Sequence, residues 1–121
     1  MPQYESLPRL TWSELEAALV RDDPEELARD VLSAALYLDD AAMATAYCVR
    51  LADHADPTVR GNALLGFAHI ARIHRSLDRA CSVPLVQRGR NDTHEWVRMQ
   101  ARNAVEDFVH YLGWTDLVAA T

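Results

Sequence analysis

Apolar residues recur every three or four positions along most of the chain, the spacing that places them on one face of an α-helix. No segment alternates apolar and polar residues with the period of two that a half-buried β-strand requires. Helix start signals separate the periodic segments: a capping box at residues 11–14, and Asp-Pro pairs at Asp23-Pro24 and Asp56-Pro57. The pattern therefore predicts an all-α protein with six main helices.

The predicted helices pair in chain order. They give an extended arm (1–10), three helical hairpins (11–38, 39–74 and 76–112) and a C-terminal cap (113–121). In the arm, Tyr4, Leu7 and Leu10 are the residues expected to pack against the body. The fifth helix is expected to open at Ser76 or Leu77 and, because proline lacks an amide hydrogen, to bend or restart around Pro84. The length of 121 residues suits one domain.

The chain also resembles itself. The two Asp-Pro helix starts lie 33 residues apart, and a shift of 38 residues aligns the second helices of the last two hairpins. That shift places Val97, Ala101, Val105 and Phe108 on Val59, Ala63, Phe67 and Ile70. Periods of this length with two helices each are typical of stacked helical repeats.

Residues 56–65, Asp-Pro-Thr-Val-Arg-Gly-Asn-Ala-Leu-Leu, resemble the second helix of a HEAT repeat, whose hallmark is an Asp-Pro turn followed by Val-Arg and small residues. Residues 93–101 are a weaker copy without the proline, and Leu27-Ala28 stands where Val-Arg is expected in the first hairpin. The resemblance covers 39–112 well and 11–38 loosely. It implies a short right-handed α-solenoid of three HEAT-like hairpins.

A narrower resemblance concerns residues 4–10, the acidic Asp-Pro second helix, and residues 66–74 followed by Leu77-Asp78. These segments look like small bacterial single-domain HEAT-like proteins, some of which are immunity proteins. The resemblance implies a protein that neutralises a co-encoded polymorphic toxin, including toxins of contact-dependent growth inhibition, by tight binding. The alternative is a generic HEAT-like adaptor or assembly module.

The charge distribution bears on the class of partner. The net charge is −6; residues 1–56 carry twelve acids and four arginines, whereas residues 57–121 carry six acids and eight arginines. An acidic half disfavours nucleic-acid binding, which depends on neutralising phosphates, and it suits a basic protein such as a toxin domain. No apolar run is long enough for a membrane span. Cys48 and Cys81 are expected to be buried, reduced thiols of a cytoplasmic protein.

Two groups of residues are candidates for partner binding. The first, which we call the acidic edge, comprises the carboxylates of the turns inside the first two hairpins: Asp22, Asp23, Glu25, Glu26, Asp53 and Asp56. Stacked hairpins would bring these turns together along one edge; helix capping and solubility are the alternative explanation. The second group, the inner face, comprises His69, Arg72, Arg102 and Glu106.

The sequence offers little for catalysis. No histidine or cysteine has the spacing of a metal site, no serine lies in a nucleophile turn, and no glycine-rich phosphate loop is present. Glu106 and His110 could share a helix face, but a solvated face is the commoner reason for that spacing. We therefore expect no enzyme, cofactor or metal. Arg60 and Arg98, equivalent under the 38-residue shift, are expected to tie their helices to acidic turns.

Overall fold

The computed structural model describes residues 7–119. Its helices are α1 (Trp12–Arg21), α2 (Pro24–Tyr37), α3 (Ala41–Leu51), α4 (Pro57–His74), α5 (Arg79–Gly89), α6 (Glu95–Leu112) and α7 (Asp116–Ala119). The described range contains no β-strand. The predicted all-α class is therefore confirmed.

Side chains cap the starts of α1 to α5, and the caps of α1, α2 and α4 are those that the sequence predicts. Thr11 and Glu14 form a reciprocal capping box: the Thr11 hydroxyl accepts from the Glu14 amide at 3.1 Å, and the Glu14 carboxylate accepts from the Thr11 amide at 2.9 Å. The helices α2, α3, α4 and α5 each begin after an aspartate whose carboxylate accepts first-turn amides: Asp23, Asp40, Asp56 and Asp78. Each cap satisfies donors that have no partner within the helix.

The fifth helix differs from the prediction. It begins at Arg79 rather than at Ser76 or Leu77, because the carboxylate of Asp78 accepts from the Cys81 amide at 3.1 Å and fixes the first turn there. It also continues through Pro84 as one helix, so of the predicted alternatives, a bend or a restart, the restart does not occur. Pro84 removes the bond to the carbonyl of Ala80, and since Ala80 is exposed in the first turn, water can replace that bond.

The helices pack around α4. Consecutive helices contact each other as the pairs α1–α2, α3–α4 and α5–α6. The helix α4 has its most extensive contacts with α6 and α2, so α2, α4 and α6 lie side by side, and α3 contacts α5. This arrangement places the turns inside the three pairs near one another, and the predicted acidic edge lies at the first two of these turns.

A single apolar cluster joins the helices. All eight residues aligned by the 38-residue shift are buried: Val59, Ala63, Phe67, Ile70, Val97, Ala101, Val105 and Phe108. The register inferred from the repeat therefore identifies the core faces of α4 and α6. Leu7 and Leu10 of the arm pack against the same cluster as predicted, whereas Tyr4 lies outside the described residues.

Asn62 connects the three neighbouring helices. Its amide nitrogen donates to the carbonyl oxygen of Ala28 on α2 at 3.0 Å, and its amide oxygen accepts from the indole nitrogen of Trp96 on α6 at 3.2 Å. Gly61 makes the second contact possible, because a Cβ atom there would lie 2.3 Å from Cδ1 of Trp96. The glycine thus lets the indole lie against the backbone of α4.

The chain beyond α6 folds back as predicted. Gly113 ends α6 in the left-handed region, at φ 71°. Trp114 then packs edge-on against the buried ring of Phe108, with ring centroids 5.2 Å apart, and Leu117 of α7 is buried. These contacts cover the end of the core. The two cysteines behave differently from each other: Cys48 is buried as predicted, but Cys81 is exposed.

Candidate protein-binding site

The acidic edge lies in the turns between α1 and α2 and between α3 and α4, and its members Glu25 and Glu26 lie in the first turn of α2. Asp22 and His54 link the two turns at 2.7 Å. Because Nδ1 of His54 accepts from the Asp56 amide at 3.0 Å, the neutral ring carries its proton on Nε2 and donates it to Asp22. The structure therefore brings the carboxylates of two hairpins to one edge.

Most of these carboxylates already have partners inside the fold. Asp23 and Asp56 cap α2 and α4, Glu26 forms a bidentate pair with Arg21 at 2.7 and 2.9 Å, and Asp53 pairs with Arg88 of α5. The Arg21 bonds hold the pKa of Glu26 below its usual range. Among the described residues, Glu25 is the member of the edge for which no hydrogen bond is formed. Helix capping and turn-to-turn pairing therefore account for most of the acidic edge.

Arg60 and Arg98 anchor the turns, which confirms their predicted structural role. The Arg60 guanidinium donates to both carboxylate oxygens of Asp92 at 2.9 and 3.0 Å, and to the carbonyls of His54 and Ala55 at 3.0 and 2.8 Å. Arg98 donates to the Asp92 carbonyl at 2.8 Å. The hydrogen bonds from Arg60 lower the pKa of Asp92. One guanidinium thus joins the second turn to the third.

The inner-face residues occupy two separate places. His69 and Arg72 are one turn apart on α4, and the Arg72 guanidinium donates to Nδ1 of His69 at 3.0 Å. Burial, together with the charge of Arg72, lowers the pKa of His69 to about 4, so the ring is neutral at physiological pH. Arg102 and Glu106 instead line a depression of about 190 Å³ beside α7, with Val105, Leu117, Val118 and Arg90.

An exposed apolar pair lies at the start of α6 and was not singled out from the sequence. Trp96 and Met99, on the first turns of α6, keep 39 % and 37 % of their surface exposed. Trp96 is also held in place, because its indole packs on Gly61 and donates to Asn62. The sequence did contain a signal for this residue. Trp96 directly precedes Val97 in the weaker HEAT-like segment, so it is an apolar residue that lies outside the buried face of α6 aligned by the 38-residue shift.

A buried carboxylate was also missed. Asp30 on α2 is only 6 % exposed, and within residues 7–119 no hydrogen bond or ion pair reaches it. It lines an open cavity of about 530 Å³ between the arm, α1 and α2. Burial raises the pKa of Asp30 to about 6, and the charge of Glu26 adds to this rise. The sequence signal was its position in the apolar stripe of α2, three residues after Leu27 and four before Ala34.

The described residues hold no group of three His, Cys, Asp or Glu side chains that could bind a metal ion. Partial burial raises the pKa of Asp107, and the nearby charge of Arg72 opposes that rise. In the part of the chain that the structure covers, no helix is long and apolar enough to cross a membrane. The acidic edge, the Trp96 and Met99 pair and the Asp30 cavity are surfaces of the described residues that could take part in binding.

Comparisons with protein-family models, with curated proteins and with solved structures found no match to this chain. The resemblance of the sequence to HEAT-like proteins therefore stays a hypothesis, and these surfaces are the basis for a proposed function.

Proposed function

We propose that the helices form a short right-handed solenoid of three HEAT-like hairpins, and that the chain is an immunity protein that neutralises a bacterial toxin by binding it. The solenoid is supported by contacts that recur at the repeat distance. Asp22 contacts His54, Ala28 contacts Asn62, and Asn62 contacts Trp96, over separations of 32, 34 and 34 residues. Each bond links a hairpin to the next one.

The observation that carries a binding function is Trp96, an exposed indole that packs on Gly61 of α4, the helix whose start is capped by Asp56 of the acidic edge. Tryptophan is enriched among the few residues that dominate interface energies, and a side chain already held in place loses little entropy on binding. Met99 extends the apolar patch by one turn of α6. Carboxylates around such an anchor speed the encounter with a basic partner, since exposed charges act mainly on the association rate.

The internal pairing of the acidic edge favours the alternative, a general adaptor. Carboxylates that cap helices or pair with arginines attract a basic partner more weakly than free carboxylates do. If the chain is an adaptor, Trp96 and Met99 bind a protein unrelated to toxins, and the acidic edge only stabilises the fold. Both functions use the same apolar anchor, so the two proposals differ in the partner rather than in the surface.

Growth rescue distinguishes these functions. The C-terminal domain encoded by the gene immediately upstream is expressed in a host, and this chain is expressed with it. Restored growth, together with a co-purified complex of the two proteins, supports the immunity function. If the domain stops growth and this chain neither restores growth nor binds the domain, the immunity function is wrong and the adaptor remains.

Trp96→Ala tests the surface in the same assay. We expect it to weaken binding by about thirtyfold or more, the loss of about 2 kcal/mol that defines an interface hot spot. Val20→Ser is the matched control, because Val20 is an exposed apolar residue on α1, a helix that contributes no residue to the Trp96 patch. Equal binding by both variants would show that Trp96 is not the anchor.

A further inference from the structure

The cavity that Asp30 lines has the features of a small binding site. Its walls come from three segments, the arm, α1 and α2, and they combine apolar surface with charged groups. Leu7, Pro8 and Leu10 supply the apolar side, and Ala17 of α1 narrows the opposite wall. A volume of about 530 Å³ lies within the range of pockets that hold small ligands or single side chains.

Asp30 is the buried carboxylate of this cavity, and within residues 7–119 no hydrogen bond or ion pair to it is formed. A buried carboxylate is unfavourable unless hydrogen bonds or an opposite charge compensate it. The hydroxyl of Tyr47, a buried donor whose pKa the charge of Asp30 affects, is already used, because it donates to the carbonyl of Leu15 at 3.0 Å. The charge of Asp30 nevertheless contributes, after burial, to raising the pKa of Tyr47. A donor supplied from outside would meet an acceptor that the fold leaves unsatisfied.

The charges around Asp30 favour a cation. Glu14 and Arg21 face the cavity from α1, and Glu26 and Arg29 face it from α2. Arg21 and Glu26 neutralise each other in their bidentate pair, and Glu14 accepts from Thr11 in the capping box. Counting Glu14, Glu26 and Asp30 against Arg21 and Arg29 leaves one excess negative charge. Arg29 is exposed and forms no ion pair with Asp30 in the described structure.

We propose that this cavity is an anchor site for one basic side chain of the protein partner, whose cationic group pairs with Asp30 while its alkyl part packs on Leu7, Pro8 and Leu10. The inference rests on the proposed function only for the source of the side chain. A partner cation would compensate the buried carboxylate, and the apolar walls would strengthen the pairing by excluding water.

Titration with a capped arginine tests the site without any partner. N-acetyl-L-arginine methylamide is added to the ¹⁵N-labelled full chain at pH 7.5, and amide shifts are followed. We expect the shifts to cluster in residues 7–10, α1 and the first half of α2. The matched ligand is the citrulline analogue, which has the same shape and no charge. We expect its affinity to be lower than that of the capped arginine by about tenfold or more.

Asp30→Asn should reduce the affinity for the capped arginine by about tenfold or more, the usual effect of losing a hydrogen bond to a charged group. Glu16→Gln is the control, because it removes the same charge from an exposed position on α1. Affinity should also fall between pH 7 and pH 5, since Asp30 takes up a proton in this range. Equal binding of the citrulline analogue, unaltered binding by Asp30→Asn, or no binding to the full chain would each overturn the proposal.

The partner assay then separates the site from the function. If the chain neutralises a toxin, Asp30→Asn should weaken that complex and Glu16→Gln should not. A complex that Asp30→Asn leaves unchanged would overturn the anchor role. If the chain neutralises no toxin, the immunity function fails, and the arginine titration still decides whether the cavity binds a basic side chain.

Discussion

Arg60→Ala should destabilise the fold by about 3 kcal/mol, because one guanidinium holds two turns together. The substitution removes two hydrogen bonds to the Asp92 carboxylate and two to backbone carbonyls. Hydrogen bonds to charged groups contribute about 1.5–3 kcal/mol each, but the four are not additive. Water also replaces part of the loss, because the side chains of Arg60 and Asp92 remain 17 % exposed. Asp92 keeps its bond from the His94 amide.

Arg88→Ala is the matched control for this prediction. Arg88 also joins a helix of the third hairpin to the second turn, through Asp53, but these two side chains are 59 % and 66 % exposed. Exposed ion pairs contribute about 0.2–1 kcal/mol. Urea denaturation followed by circular dichroism measures both variants at pH 7. An Arg60→Ala loss no larger than that of Arg88→Ala would refute the argument that burial makes the Arg60 contacts strong.

The pH dependence provides an independent check. The bonds from Arg60 lower the pKa of Asp92 in the folded state, so the pair contributes stability above the unfolded pKa of about 4 and loses it as the pH falls through the folded value. The difference between wild type and Arg60→Ala should therefore shrink below pH 4. Arg60→Lys should lose about half as much stability as Arg60→Ala, since an ammonium keeps the charge without the planar fork.

The remaining predictions concern the core, the thiols and Asp30. Phe67→Ala and Phe108→Ala should each reduce the free energy of unfolding by about 3–5 kcal/mol, as for other buried aromatic residues; a loss below 1 kcal/mol would contradict the repeat register. A thiol reagent should label Cys81 alone in the native chain, because burial raises the pKa of Cys48 to about 12 and excludes the reagent, and should label both after unfolding. Asp30→Asn should raise stability at pH 7.5 by up to about 3 kcal/mol, since the folded pKa lies above the unfolded one; the gain should vanish below about pH 3, where the carboxyl is protonated in both the folded and the unfolded state.

The helices could be predicted because their signals are local. Asp23 and Asp56 stand directly before a proline, and a carboxylate at that point satisfies the first free amides of a helix without help from distant residues. The predicted start of α5 at Ser76 or Leu77 is too early, because Ser76, Leu77 and Asp78 follow one another directly and the helix begins only after the last of them. Of these, the Asp78 carboxylate forms the cap, which sequence spacing alone does not decide.

The acidic edge could be placed from the sequence, but its partners could not. Asp22 contacts His54 and Asp53 contacts Arg88, over separations of 32 and 35 residues. Net charge counts every carboxylate equally, whereas the structure separates those that hold turns together from Glu25, which has no such bond among the described residues. The separations along the sequence nevertheless match the repeat period, so the partner of a turn residue lies about one repeat further along the chain.

Asp30 shows that helical periodicity can predict the burial of a polar residue as well as of apolar ones. Leu27, Val31 and Ala34 mark the buried face of α2, and Asp30 falls within that face, so the pattern already implied a buried carboxylate. Polarity alone suggested an exposed position, because aspartate is rarely buried unless it is paired. Folding does not explain the residue, since an unpaired buried charge lowers stability and an apolar residue of similar size would not. A cationic side chain of a partner would compensate the negative charge of Asp30, which no side chain of α1, α2 or α3 pairs with in the described structure.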